Sequence, residues 1–242
     1  MKLALIAIVS CLALSAKAVS RVKHISVPDG APYHTSLLPY NMYKNMPVID
    51  VQSFDLVCRT PDMNATAVFF PIADGSTLRV TWDVETPSPY SNLTPNGPCS
   101  FWLAPYSSKG KGKVWSKIHQ FTYKGNDDAC KWCSSFIKDK GYYDVPLPKG
   151  IAPGKYYFRA EVIDHNGARD KSNYLDFTAG AHYYVDCNLI EITGTGTDSL
   201  KSPISIMDAY KKYYKTPLFP STMKNTEFVM PGDDAPFRTA NF

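Results

Sequence analysis

VPLPKGIAPGKYYFRAEVIDHNGARDKSNYLDFTAGAHYYVDCNLIEITG, residues 145–194, carries its own punctuation. Lys149-Gly150 and Pro153-Gly154 are turn dipeptides, and after them Lys155 to Ile163 alternates as a half-buried strand does, with Tyr156, Phe158 and Val162 in a β-rich run. A polar, glycine-containing excursion follows from Asp164 to Ala179. A second alternating run then extends from His182 to Thr193, with Cys187 near its middle. Two neighbouring antiparallel strands joined by a long excursion, in a chain with few helix signals, predict a β-sandwich that displays something at that end.

Working outward, residues 1–18 hold a lysine, an apolar run from Leu3 to Leu14, and then Ala16-Lys17-Ala18. This is the pattern of a secretory signal peptide, and cleavage after Ala18 leaves Val19 first. No later segment reaches eighteen apolar residues, so the expectation is a secreted protein, extracellular or in the cell wall, with no membrane partner. Two of the lysines behind the formal charge of +4 leave with the peptide, which argues against nucleic acid. The remaining length suits one all-β domain, residues 19–242, without internal repeat or linker and expected to be monomeric.

Val22 to Val27 reads as a short strand leading into a Pro- and Tyr-rich loop, PYHTSLLPYNMYKNMP. Tyr33, Tyr40 and Tyr43 there, and Tyr210, Tyr213 and Tyr214 near the C-terminus, have two readings. They stack flat on a polysaccharide, or they pack on the edge of the sandwich. Residues 125–141 give the helix candidate, with Asp127 and Asp128 as caps, Trp132, Phe136 and Ile137 at helical spacing, and Gly141 past its end. Lys109 to Lys113, KGKGK, is a basic hairpin tip. Asn64 and Asn92 begin glycosylation sequons and so belong to surface loops, the second either solubilising or crowding the loop before Gly97.

Cys58, Cys99, Cys130, Cys133 and Cys187 remain once Cys11 is removed, an odd number in an oxidising compartment where most pair. A zinc site from Cys99, Cys130, Cys133 and a histidine lacks the second CxxC that would support it. There is no G-x-S-x-G, H-E-x-x-H or P-loop motif, and a glycosidase pair of carboxylates cannot be picked out by pattern.

PKGIAPGKYYFRAEVI, GAHYYVDC and IEITG resemble the fungal lytic cellulose monooxygenases of auxiliary-activity family 9. So do DVQSFDLVC (50–58), ADGSTLRVTW (73–82), GPCSFWLAP (97–105), VWSKI (114–118) and FVMPG (228–232), in the family's order. The resemblance implies an immunoglobulin-like or fibronectin-like antiparallel β-sandwich with long irregular loops and a short helix. It also implies a Cys58–Cys187 disulfide and a copper held by an amino-terminal histidine, a second histidine and an axial tyrosine. Here those positions carry Val19, Pro95 and Tyr184, with His182 replacing the family's glutamine and Asn166 its outer-sphere histidine, His165 standing one place early. Copper(II) prefers nitrogen donors in a tetragonal plane, which Val19 and Pro95 do not supply through side chains. No cofactor is therefore expected, although copper is what the resemblance implies. The leading expectation is a non-oxidative protein of polysaccharide surfaces such as cellulose, wall glucan or chitin. The alternatives are an active copper monooxygenase with a non-standard site, for instance after processing to His24, and a protein-binding module.

Overall fold

The computed structural model describes residues 18–34, 47–60, 63, 68–85, 97–123, 132–165, 180–220, 222–224 and 227–233. In chain order the elements are β1 (Ala18–Ser26), α1 (Asp55–Cys58), β2 (Phe70–Ala73), β3 (Thr77–Glu85), β4 (Cys99–Pro105), β5 (Ser116–Phe121), α2 (Cys133–Lys140), β6 (Tyr142–Pro146), β7 (Gly154–Asp164), β8 (His182–Thr193) and α3 (Ile206–Lys211). A three-stranded sheet, β1-β3-β6, faces a five-stranded sheet, β2-β8-β7-β4-β5. The expected β-sandwich is the observed one.

The small sheet shows the alternation of a sheet wetted on one side. Leu78, Val80 and Trp82 of β3 point inward and are buried, while Arg79 between them points out. Its guanidinium donates to both Asp144 carboxylate oxygens at 2.7 and 2.8 Å and lies 3.9 Å over the Tyr142 ring. The large sheet is covered on both faces. Phe101, Leu103, Phe158, Val162 and Ile190 fill the space between the sheets with Val22 and Ile25 of β1. On the far face Trp102, Tyr157, Tyr183, Val185 and Leu189 pack under α1, α3 and the C-terminal segment, with Leu56, Tyr210 and Phe228.

The half-buried reading of the two late strands is therefore corrected. β7 and β8 pair antiparallel as expected, from Gly154↔Ile192 to Asp164↔His182, but both are inner strands of a sheet with two dry faces. Their polar residues Arg159, Glu161, Asp186 and Asn188 are buried along with the apolar ones. A second correction concerns direction, because β2 runs parallel to β8, Phe70 opposite Ile190. A third concerns helices. The candidate at 125–141 is a helix from Cys133 to Lys140, ended by Gly141 at φ 79° with its N–H on the Ile137 carbonyl; Asp127 and Asp128 lie outside the described residues. Two further short helices, α1 and α3, exist because the far face of the large sheet needs a cover.

Two disulfides occur among the described residues. Cys58 and Cys187 are bonded, with Cα atoms 5.2 Å apart, tying α1 to β8. Cys99 and Cys133 are also bonded, Cα atoms 5.7 Å apart, tying β4 to α2 and removing two of the thiols weighed as zinc ligands. Cys130 lies outside the described residues.

Candidate functional site

The end of the large sheet where β7 stops and β8 starts brings together Tyr184, His182, His165 and the Gly97-Pro98 pair. Val162 lies opposite Tyr184 and Asp164 opposite His182. Gly97 and Pro98 close against the same end: the Ile163 N–H donates to the Pro98 carbonyl at 3.0 Å, and the Gly97 N–H donates to Ser134 Oγ at 2.9 Å. Gly97 is required by crowding, since a β-carbon there would collide with the Ile163 carbonyl oxygen.

Tyr184 is buried, with 3% of its surface exposed, on the face of β8 that looks toward the small sheet. His182 shares that face by the two-residue period of the strand and is half-buried. His165 does not. It turns to the opposite face, where its ring centre lies 4.7 Å from that of Trp132 and 5.1 Å from that of Phe219. Val19 lies in β1 opposite Val84, its backbone engaged in a strand ladder. Pro95 and Asn166 lie outside the described residues.

The surroundings of Tyr184 are more charged than the sequence reading anticipated. The Val22 N–H of β1 donates to Asp186 Oδ2 at 2.9 Å, which joins the two sheets two residues along from Tyr184. Arg59, just past α1 at φ 57°, is buried to 4% exposure and lies in the fields of Asp186, Tyr184 and Arg21. Burial lowers the Arg59 pKa, Asp186 and Tyr184 oppose that shift, and the Arg21 charge adds to it. Arg21 is itself buried, 3.7 Å from Asp83. These two guanidiniums were missed, although Arg59 directly follows a cysteine of the paired set, the one signal that would have placed it beside β8.

The tyrosines separate. Tyr33, 38% exposed, is bridged to Ile25 of β1, and its ring packs 4.8 Å from that of Phe70. Tyr210 is fully buried under the far face of the large sheet and donates to Glu161, so its place in a stacking surface is withdrawn. Tyr213 and Tyr214 are half-buried against that same far-side core. Tyr33 and the C-terminal tyrosines lie on opposite sides of the five-stranded sheet and make no common face, because α3 follows the sheet side that β1 does not cover. Tyr40, Tyr43, Asn64 and Asn92 lie outside the described residues.

Beneath the site runs a buried polar network. Glu161 accepts from Arg159 Nη2 at 2.9 Å, from Ser100 Oγ at 2.7 Å and from the Tyr210 hydroxyl. Arg159 also donates to the Val57 and Leu56 carbonyls at 2.9 and 3.0 Å, supplying a cationic cap at the end of α1. Burial first, and then the Glu161 charge, raise the Tyr183 and Tyr210 hydroxyls well above their ordinary pKa. No group of three or more metal-ligating side chains occurs among the described residues.

Comparison with known proteins agrees with this fold. Among solved structures the fold superimposes on CvAA9A with a TM-score of 0.72 at 25% identity, covering 89% of this chain and 96% of that one. A cellulose-active polysaccharide monooxygenase from M. thermophila gives 0.58 at 18% identity, over 91% of this chain and 94% of the other, a likeness of fold. Two curated relatives are the AA9 family lytic polysaccharide monooxygenase A of Aspergillus clavatus, 28% identical over 69% of this chain and 45% of its own length, and that of Collariella virescens, 29% identical over 69% and 61%. The chain thus spans about half the length of the curated relatives it matches. The model of Auxiliary Activity family 9 (formerly GH61) matches residues 19–227, beginning at the residue that signal-peptide cleavage would leave first, and the chain belongs to that family.

Proposed function

We propose that this chain keeps the family's fold and acts at polysaccharide surfaces outside the cell without oxidative copper chemistry. The observation that carries the reading is the donor set around Tyr184. Arg59 is buried in the fields of Tyr184 and Asp186. Guanidinium groups stay protonated and offer no lone pair to a metal. A copper(II) ion asks for nitrogen donors fixed in a plane, and it would meet the Arg59 cation here. Of the family's three ligand positions, Val19 contributes only a backbone amine, Pro95 has no donor side chain, and Tyr184 is a single oxygen. His165 faces away from Tyr184, so it does not complete the set. The residues present therefore do not fit the copper that family membership implies.

Polysaccharide binding rests on kinship with the family and on Tyr33, an exposed ring beside the first strand. Glycan attachment at Asn64 and Asn92, secretion after cleavage at Ala18 and a single domain over 19–242 belong to the same reading. The test is copper titration with paramagnetic resonance on protein whose N-terminus has been confirmed as Val19, together with incubation on cellulose with a reductant. The expected result is no copper lost on Tyr184→Phe and no oxidised oligosaccharides. A copper site that depends on Tyr184, or release of oxidised products, overturns the reading and restores the active monooxygenase. Pull-down on cellulose, chitin and β-glucan, with Tyr33→Ala as the control, separates a polysaccharide binder from a protein-binding module.

A further inference from the structure

We propose that His24 and His34 form a two-imidazole site for a divalent transition-metal ion on the outer face of the three-stranded sheet, separate from the Tyr184 end. The placement comes from the backbone. Ile25 and Tyr33 exchange both backbone hydrogen bonds, at 3.0 and 2.8 Å, so they are a hydrogen-bonded antiparallel pair. The next pair, His24 and His34, is therefore directly opposite and of the non-hydrogen-bonded kind, in which side chains approach most closely. Their ring centres are 5.8 Å apart and their planes are inclined at 75°.

Two imidazoles on one ion, each with a metal–nitrogen distance of about 2.1 Å, put their ring centres roughly 5 Å apart. A small rotation about the terminal side-chain torsions closes the difference, and those torsions are soft. His34 is exposed and His24 half-buried, so an ion can enter from solvent and keep water in its remaining positions.

A second observation concerns orientation. The ladder between β1 and β3 shifts register between Val22 and His24, which leaves Lys23 as a bulged residue. Its carbonyl oxygen lies 2.9 Å from His34 Nδ1. A carbonyl only accepts, so Nδ1 carries the proton and Nε2 of neutral His34 keeps its lone pair for a metal. A ring nitrogen that donates to a backbone carbonyl while the other faces outward is the arrangement that fixes tautomer and orientation in metal-binding histidines. The charges acting on His24 are Lys23 and Asp83; Asp83 lies 3.7 Å from both Lys23 and Arg21, so it offsets the lysine's repulsion of a cation only in part. Imidazole pairs suit copper, nickel and zinc, with copper(II) held most tightly.

The experiment is calorimetric titration of tag-free mature protein with Zn2+ and, separately, Cu2+ at pH 7.5, using wild type, His24→Ala, His34→Ala and Tyr184→Phe. The expected result is one saturable ion per chain, weakened at least about tenfold by either histidine change, which is the scale seen even for loss of an outer-sphere partner. Tyr184→Phe should leave it unchanged. Both histidines lie at the surface, and metal-free thermal unfolding of each variant checks that the fold is kept. Absence of saturable binding, or binding that survives both histidine substitutions, overturns the site. Loss of copper in Tyr184→Phe alone overturns the preceding section's reading instead, so the two failures are distinguishable.

Discussion

Glu161 is a carboxylate with no exposed surface, and its charge is held by Arg159, Ser100 and Tyr210. Removing one partner of such a pair leaves the other uncompensated in a dry interior, which costs on the order of 3–5 kcal/mol. Glu161→Gln should lower stability by that amount in urea unfolding, whereas Tyr210→Phe, which removes one hydroxyl, should cost about 1 kcal/mol. A loss below 1 kcal/mol for Glu161→Gln would show that the pair is not isolated from water. His119 makes a second prediction. It lies 2.9 Å from the Tyr143 hydroxyl, and burial holds its imidazole down at about 4 against an ordinary 6.5. Between those values the unfolded chain binds a proton that the folded protein refuses, so stability rises with pH across the window and falls on acidification. The slope from this one group approaches about 1.4 kcal/mol per pH unit. His119→Gln should flatten that slope, and an unchanged pH profile of urea midpoints would refute the assignment. Neither residue announced itself in sequence, because a charged or imidazole side chain in an alternating strand reads as outward.

At the scale of elements, the late strands were legible to within a residue, since the turn dipeptides before β7 and the apolar run of β8 act through local backbone preferences. α2 was legible at its end, where Gly141 adopts the left-handed conformation. α1 was not, because four residues cannot sustain a helix alone; it is held by the Cys58 disulfide and by Arg159 on its last carbonyls. Gly97 shows how an element junction sets a residue from outside its own segment. Its Cβ position is taken by the Ile163 carbonyl, so Gly97→Ala must push the end of β7 away. We expect a loss of about 1–3 kcal/mol, the usual cost of overpacking. Hydrogen exchange should show the extra opening at Ile163, whose N–H bonds Pro98. An alanine variant as stable as the parent would mean that the junction is looser than drawn.

For the whole molecule, the two disulfides close loops of sequence separation 129 and 34. In the chain-entropy picture these contribute about 5 and about 4 kcal/mol, a small difference for so large a difference in length. Replacing Cys58 and Cys187 with Ser should therefore cost only slightly more than replacing Cys99 and Cys133, as measured by guanidinium unfolding of the two double variants. A difference of several kcal/mol would refute the chain-entropy account of the two bonds. The layered arrangement explains why stability is shared in this way. One cross-link ties the far-side cover to β8, and the other ties the flanking helix to β4.

Sequence by itself determined what depends on neighbours along the chain: the strands and turns of residues 145–194, the helix stop at Gly141 and the pattern that placed the chain in its family. Tertiary structure alone decided what depends on who lies across the sheet. It buried both faces of β7 and β8, and it buried Arg59 in the fields of Tyr184 and Asp186. It also sent Tyr210 inward while leaving Tyr33 exposed, and brought His24 opposite His34. The physical reason is that strand periodicity says which residues share a face, whereas burial and charge are properties of the layer that packs on that face.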